Sequence, residues 1–505
     1  MTNKKTDLIF VLVFGCLLGL HLWLFCSIRI FPFVDLPDHL ASAVIYRDSG
    51  QSGNQFEEYF PFVLSPYAGT FPVLFMGSKI FPNVEYAFKI FHCLYLILLP
   101  LSIFLVIRKL DGNVWFSLLS FLFMYNYNVC WGMEAFAFFM SLFFFFYYFV
   151  IKSFEEDSGS HDTVLALFLL GFYFVHMIGA LYALSVFLFA LITVGRRSLS
   201  WILRKFCLAV PLLVMLGFSA QHPALGGLRT YLIDYYTQGQ QINIALRIRE
   251  LLVFDNFFLA APVKGDNLAL LFSVFIIGYA IYHVWVSAPG SDEANPRIRY
   301  ATPLVFISFI VFFLFPHRIP GNDSLYQRFS GMVLLSLIVW GSVGAGKMRR
   351  HSRALIVLVC LFHLILWADC LIKFDKENHN FKREFFPPAT KDKIMTGLIF
   401  DRYYGRLPAY IHFPSYYIVW QKGIAVTSLL KWQYYPLCND LPKKKLPDYD
   451  EWAGMHEPIG SDKLDADYLL VRGTIPATYQ KYISSHFKEY RKAEKWIIYE
   501  RLLQP

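Results

Sequence analysis

The chain has 505 residues, of which 56% are hydrophobic and only 16% charged, with a formal net charge of +9 and a mean hydropathy of +0.44. Such a composition excludes a disordered chain and an ordinary soluble domain, and predicts a polytopic α-helical membrane protein. The basic excess falls in short loops between apolar runs and in the tail, so it gives no reason to expect nucleic acid as a partner; the surface it meets is the lipid bilayer.

Eleven apolar runs are predicted to span: 8–31, 86–107, 114–131, 135–151, 163–179, 180–195, 201–219, 267–287, 301–316, 331–346 and 354–372. About 18 apolar residues suffice for a ~30 Å hydrocarbon core. Several runs are shorter, and the division within 163–195 is the least sharply marked. The first run is long and has no clear small-residue cleavage site after it, so it reads as an anchor and not as a cleaved signal. If every run crosses, Lys4, Lys5, Arg108, Lys109, Lys152, Arg196, Arg197, Arg204, Lys205, Arg297, Arg299, Lys347, Arg349, Arg350 and Arg353 share one side. Basic residues in short loops stay cytoplasmic, which puts the N-terminus there. The other side then carries the loops 32–85, 220–266 and 317–330 and, because the span count is odd, the tail. The expected organisation is a transmembrane domain over 1–372, with a structured external loop at 32–85, and an external α/β domain over 373–505.

The first external loop opens on Asp35-Leu-Pro-Asp38-His39, two carboxylates and an imidazole at a membrane face. Pro37 is suited to the first turn of a helix, predicted over Asp38 to Arg47. Asp35 or Asp38 could cap it, although a cap alone does not require both carboxylates and the histidine. Phe71 to Phe81 is too short to span and is bracketed by Pro72 and Pro82, so an interfacial helix is expected. Further along, Trp131-Gly132-Met133-Glu134 opens a span, and Glu134 reads either as a functional group at the external mouth or as a loop residue in water. His176 lies near the external end of its span, where it either faces the same cavity or packs between helices. His317, Arg318 and Arg328 lie in or beside one short external loop. A guanidinium suits a phosphate because its planar donors engage two oxygens together; the competing reading of Arg318 and Arg328 is as interfacial anchors. Six of the eight cysteines fall in apolar spans, and no spacing suggests a disulfide framework or a Cys/His metal site.

From Lys373 the charge rises and the apolar runs shorten. Strands are predicted at Ile394–Phe400, Tyr416–Val426, Tyr468–Val471 and Lys495–Tyr499, with a helix around Pro476 to His486. Lys443-Lys444-Lys445 reads as a solvated loop, or as a contact with anionic headgroups.

Taken together, the acidic motif after the first span, the long external loop with surface helices, the multi-span core and the external C-terminal domain resemble the C-type (GT-C fold) glycosyltransferases. Those enzymes use polyprenyl-phosphate sugars. More narrowly, Asp35-Leu-Pro-Asp38-His39-Leu40-Ala41, Trp131 to Glu134, His176 within Tyr173 to Ala180, and Pro316 to Arg328 resemble a set of bacterial membrane proteins related to that fold. The resemblance covers most of the chain and implies a transferase of the cell (inner) membrane that moves a sugar from a lipid phosphate to a glycan, lipid or protein of the envelope.

Such chemistry needs a base for the acceptor hydroxyl and a cation for the leaving phosphate. Asp35 or Asp38 can supply the first, and the resemblance points to Asp35. It implies that Asp38 and His39 orient that base, contact the acceptor, or help hold a divalent cation. Mg or Mn on Asp35 and Asp38 is the expectation, as in some members of the fold. Arg328 matches the arginine of the resembling pattern and is expected at the donor phosphate, with His317, Arg318, Glu134 and His176 around the substrate. Two readings of other classes stay open: a transporter or flippase for a lipid-linked or anionic solute, and a non-catalytic envelope scaffold.

Overall fold

The structure is a computed structural model that describes residues 4–48, 55–60, 77–81, 83–194, 198–220, 228–237, 242–253, 266–286, 297–319, 324–345, 348–427, 444, 446–447, 451–452 and 465–502. Its principal helices are α1 (Lys4–Ser27), α2 (Leu36–Asp48), α3 (Val84–Lys109), α4 (Glu134–Glu156), α5 (Gly159–Val175), α6 (Met177–Val194), α7 (Leu199–Phe206), α8 (Val210–Ala220), α9 (Leu228–Thr237), α10 (Ile244–Val253), α11 (Asp266–Val286), α12 (Ile298–Leu314), α13 (Ser330–Gly344) and α14 (Arg350–Glu377). Among the described residues six segments are long and apolar enough to cross a membrane: Leu8–Ser27, Val84–Lys109, Glu134–Glu156, Met177–Val194, Leu199–Phe218 and Arg350–Glu377. The chain is thus a mostly helical protein with a small C-terminal sheet, and its long apolar helices have the length and composition of membrane spans.

Aromatic interdigitation holds the bundle. Phe139 meets Phe172 at 5.0 Å and Phe143 meets Tyr182 at 4.9 Å, which ties α4 to α5 and α6. Lipid removes most of the hydrophobic drive between helices, so close approach must supply the dispersion energy. Gly179 serves this purpose: a Cβ there would sit 2.7 Å from the Phe139 ring. Between α5 and α6 the helix is interrupted at His176, whose backbone is extended (φ −165°, ψ 109°). The break therefore falls a few residues before the expected boundary at 179/180.

The run expected as a regular span over 114–131 takes another form. Val114–Phe123 is a ten-residue 3-10 helix, longer than such helices usually run. It packs against α3, α13 and α14, and residues Trp115 to Phe123 are all buried. The three-residue repeat stacks Trp115, Leu118 and Phe121 in one row. Ser117 and Ser120 share another and fold their hydroxyls back onto the carbonyls of Val114 and Ser117, at 2.7 and 2.6 Å. A one-turn helix, Tyr127–Cys130, follows; the Asn126 side chain accepts from the N–H groups of Asn128 and Val129.

α1 and α14 finish at the same end of the bundle, where the C-terminal domain begins. The Ile30 N–H donates to Asp375 Oδ1 at 3.0 Å, and the Arg29 guanidinium donates to the carbonyls of Phe381 (2.8 Å) and Asn378 (2.5 Å). The other end gathers the basic loops into ion pairs: Lys109 with Glu155, Arg297 with Asp111, and Lys205 with Asp162.

The C-terminal sheet has strands β1 (Ile394–Ile399), β2 (Ile424–Ala425), β3 (Tyr468–Arg472), β4 (Phe487–Ala493) and β5 (Trp496–Arg501), in the order β2-β1-β3-β5-β4. β1 runs parallel to β2 and β3, while β5 is antiparallel to β3 and β4. The expected helix is present as Ala477–His486. The strand expected over 416–426 is instead a helix, α15 (Tyr416–Gln421), followed by the two residues of β2. α15 packs on α2, and the rings of Tyr416 and Trp420 stack at 4.5 Å. Lys444 is no simple solvated side chain, since it pairs with Glu58 at 2.7 Å and with Asp392. Lys443, Lys445 and residues 71–76 of the expected interfacial helix lie outside the described residues; 77–80 are helical.

Candidate active site at the junction of the loop after α1 and the C-terminal domain

Pro37 falls in the first turn of α2, as the sequence predicts, and the Asp35 carbonyl accepts from the His39 N–H at 3.0 Å to open the helix. The strand of chain leading into it is fixed by the turn at 130–132. The Val34 N–H donates to the Cys130 carbonyl at 3.0 Å, and the Asp35 N–H to the Trp131 carbonyl at 3.4 Å. Gly132 makes this approach feasible: its φ is +79°, and a Cβ there would lie 2.8 Å from both the Cβ and the N of Asp35. The His39 Nε2 bonds the Gly132 carbonyl at 2.7 Å. Because a carbonyl only accepts, that nitrogen carries the proton. Burial lowers the His39 pKa against the pull of Asp35 and Glu134. In this structure His39 clamps the motif onto the turn.

The two carboxylates occupy different environments. Asp38 is fully buried. It accepts from the Ser415 hydroxyl on one oxygen and from the Thr427 hydroxyl on the other at 2.9 Å. Burial pushes its pKa up to about 7, with His412 opposing and Glu451 adding to the rise. Asp35, whose side chain is 23% exposed, is the more open of the pair. Between them stands His412, buried, with Nε2 3.4 Å from Asp35 Oδ1 and Nδ1 3.4 Å from Asp38 Oδ2 and 3.0 Å from Glu451 Oε1. Burial disfavours the imidazolium, but the charges of Asp38, Asp35 and Glu451 outweigh it and raise the His412 pKa well above the ordinary value. An aromatic wall borders the opening. The His412 ring meets Trp452 edge-on at 5.6 Å, and Trp452 stacks over Trp131 at 6.5 Å.

Asp38, His412 and Glu451 are also the residues that could hold a metal ion, since one ligand atom from each lies within 4.8 Å of the others. The expected pairing of Asp35 with Asp38 around an ion is not the arrangement found; Asp35 faces the opposite nitrogen of His412. The fit of this donor set is favourable because Nδ1 of the buried His412 points between two carboxylates without an aligned hydrogen bond to either.

The remaining expected residues fall into separate groups. Arg328 is nearly buried in the 3-10 turn Gln327–Phe329 ahead of α13. Its Nη1 lies 3.5 Å from His176 Nε2, and its carbonyl accepts from the Asn128 amide at 3.0 Å. The His176 Nδ1 accepts from the Gly179 N–H at 3.1 Å and caps α6. Among the described residues no ion pair or hydrogen bond joins Arg328 to Asp35; the segment 126–134 lies between them and touches both. Glu134 is buried, not water-exposed, and pairs with His92 Nδ1 at 3.1 Å. The His92 ring in turn stacks on Phe25 at 4.2 Å. His317, with its neighbour Gln327, lines a different cavity of about 330 Å³ together with Arg247 and Glu250. Arg318 is exposed.

Sequence reasoning missed His412, Glu451, Ser415 and Thr427 at the centre and His92 beneath it. No local spacing flags them, since all but His92 come from the tail, more than 370 positions after Asp38. Compared with models of known protein families and with curated proteins, the chain has no match.

Proposed function

We propose that the protein is a membrane glycosyltransferase that moves a sugar from a polyprenyl-phosphate donor to an envelope acceptor, a glycan, lipid or protein, at the external membrane face. The observation that carries this reading is the division of labour in the acidic motif. Asp38 is locked away by Ser415, Thr427 and His412, while Asp35 is held half-open with one oxygen toward His412. A carboxylate fixed on one side and accessible on the other suits a general base. Its free oxygen takes the proton of the acceptor hydroxyl as the hydroxyl oxygen bonds the anomeric carbon. The bond from the anomeric carbon to the phosphate oxygen breaks at the same time, and the lipid phosphate leaves with the electron pair. Arg328, across the segment 126–134 from Asp35, is the candidate to meet the phosphate charge. A divalent cation on Asp38, His412 and Glu451 would add positive charge at this mouth. Transport would call for ionisable groups near the membrane midplane, whereas Asp35, Asp38, His412 and Glu451 gather where the helices end.

In this reading all eleven apolar runs cross the inner membrane, the N-terminus is cytoplasmic, and the loop 32–85 and the C-terminal domain face outward. Ser484, exposed on the helix Ala477–His486, and Ser198, exposed before α7, test it. In a background lacking reactive native cysteines, Ser484→Cys is labelled by an impermeant thiol reagent in intact cells and Ser198→Cys is not. Labelling of the two in the reverse order would put the domain in the cytoplasm and remove the external assignment.

The donor site is tested by titrating purified protein with a polyprenyl-phosphate sugar. Arg328→Ala weakens apparent donor affinity by the ~10-fold or more expected for a charge-assisted hydrogen bond. Arg328→Lys restores it only in part, because an ammonium lacks the two-pronged geometry. Unchanged affinity in both variants would make Arg328 an anchor of α13.

A further inference from the structure

We infer that Asp38, His412 and Glu451 form a binding site for one transition-metal dication of the zinc–manganese class, and that this ion fastens the C-terminal domain to the first external loop. The inference does not rest on sugar transfer. It begins from the spacing of the ligand atoms. Neighbouring ligands of a tetrahedral or octahedral ion bound at about 2.0–2.2 Å lie about 3.0–3.5 Å apart. Nδ1 of His412 is 3.0 Å from Glu451 Oε1 and 3.4 Å from Asp38 Oδ2.

A second observation is independent of that spacing. Metal-bound imidazoles commonly donate their other N–H to a carboxylate, which fixes the ring and strengthens the ligand. Asp35 Oδ1 lies 3.4 Å from Nε2 of His412, on the side away from Glu451 and Asp38. Nδ1 itself is buried, aims between two carboxylates and makes no aligned hydrogen bond.

The donor set narrows the ion. Magnesium and calcium take oxygen ligands and keep waters or many donors around them. A buried set with an imidazole nitrogen suits zinc or manganese instead. In place of magnesium or manganese on Asp35 and Asp38, this site has Asp35 orienting the ligand histidine and not ligating the ion. The ion would bridge residues far apart in the chain. Asp38 comes from α2, whereas His412 and Glu451 come from the C-terminal domain.

The test uses the full-length protein in detergent and no substrate. After EDTA dialysis it is titrated with Co²⁺ and read by visible absorption, with competition by Zn²⁺, Mn²⁺, Mg²⁺ and Ca²⁺. One equivalent of Co²⁺ is expected to bind and to be displaced by Zn²⁺ but not by equimolar Mg²⁺ or Ca²⁺. His412→Asn and Glu451→Gln are expected to lose the saturable band, and Asp35→Asn to weaken binding about 10- to 100-fold. Size-exclusion profiles identify any variant that fails to fold, and the wild-type titration decides without them. Absence of a stoichiometric band in the wild type, or equal binding by folded His412→Asn, overturns the site. Either failure leaves the transferase reading intact, because activity is not the readout.

Discussion

Asp35→Asn is expected to lower sugar transfer by ~10²- to 10⁴-fold, the usual contribution of a positioned general base, while the protein folds and inserts normally. The substitution keeps the size of the side chain, and the amide oxygen still faces Nε2 of His412. Asparagine is also a good helix cap, so α2 retains its start. What the variant loses is the capacity to accept a proton from the acceptor hydroxyl. The measurement compares matched membrane preparations of the two proteins with a lipid-linked donor pool and scores the modified acceptor. Near wild-type transfer by a well-inserted Asp35→Asn would end the base assignment, and Asp38, being sealed from the acceptor, could not inherit it without a rearrangement of Ser415 and Thr427.

The second large effect concerns stability. Asp38→Ala removes the partner of two hydroxyls and of His412 inside a closed junction. Breaking one side of a buried charged pair typically costs about 3–5 kcal/mol, because the remaining group is left uncompensated. The C-terminal domain is therefore expected to loosen from α2, seen as faster limited proteolysis between 378 and 427 and as a lowered unfolding midpoint in mild detergent. Asp38→Asn should lose less, since an amide can still bond both hydroxyls. If Asp38→Ala resists proteolysis as well as wild type, other contacts, among them the Asp48–Lys422 ion pair and the packing of α15 on α2, hold α2 to the domain.

Much of the architecture is legible in the chain because it is local. Pro37 marks the first turn of α2, and the largely apolar run Ile394 to Ile399 becomes an interior strand buried along nearly its whole length, with parallel neighbours on both sides. The misreadings have tertiary causes. Tyr416-Tyr417-Ile418-Val419-Trp420 has the aromatic and β-branched content of a strand. It coils into α15 because that buries Tyr416 against Phe381 and Phe413 and Tyr417 against Phe386 and Tyr468, and Lys422 (φ +60°) ends the helix. β4 escapes notice for the opposite reason: Phe487-Lys-Glu-Tyr-Arg-Lys-Ala493 is an edge strand, and edges carry charge to discourage further pairing. The candidate site was half visible. Asp35 and Asp38 announce themselves by lying just past the first apolar helix, but His412 and Glu451 reach them only through folding of the tail, which no periodicity encodes.

The tight winding of Val114–Phe123 bears on how high the acidic motif stands. At about 2.0 Å per residue this segment advances about 20 Å, whereas an α-helix of the same ten residues would advance about 15 Å. One end is fixed near the basic loops, where the Asn113 N–H donates to the Ser342 carbonyl. The other leads into the turn whose Trp131 carbonyl and Gly132 hold Asp35. Rewinding into α geometry would draw that turn inward by about 5 Å. The distance of the carboxylate from the basic end of the bundle is in this sense measured out by a buried ruler that makes no contact with it.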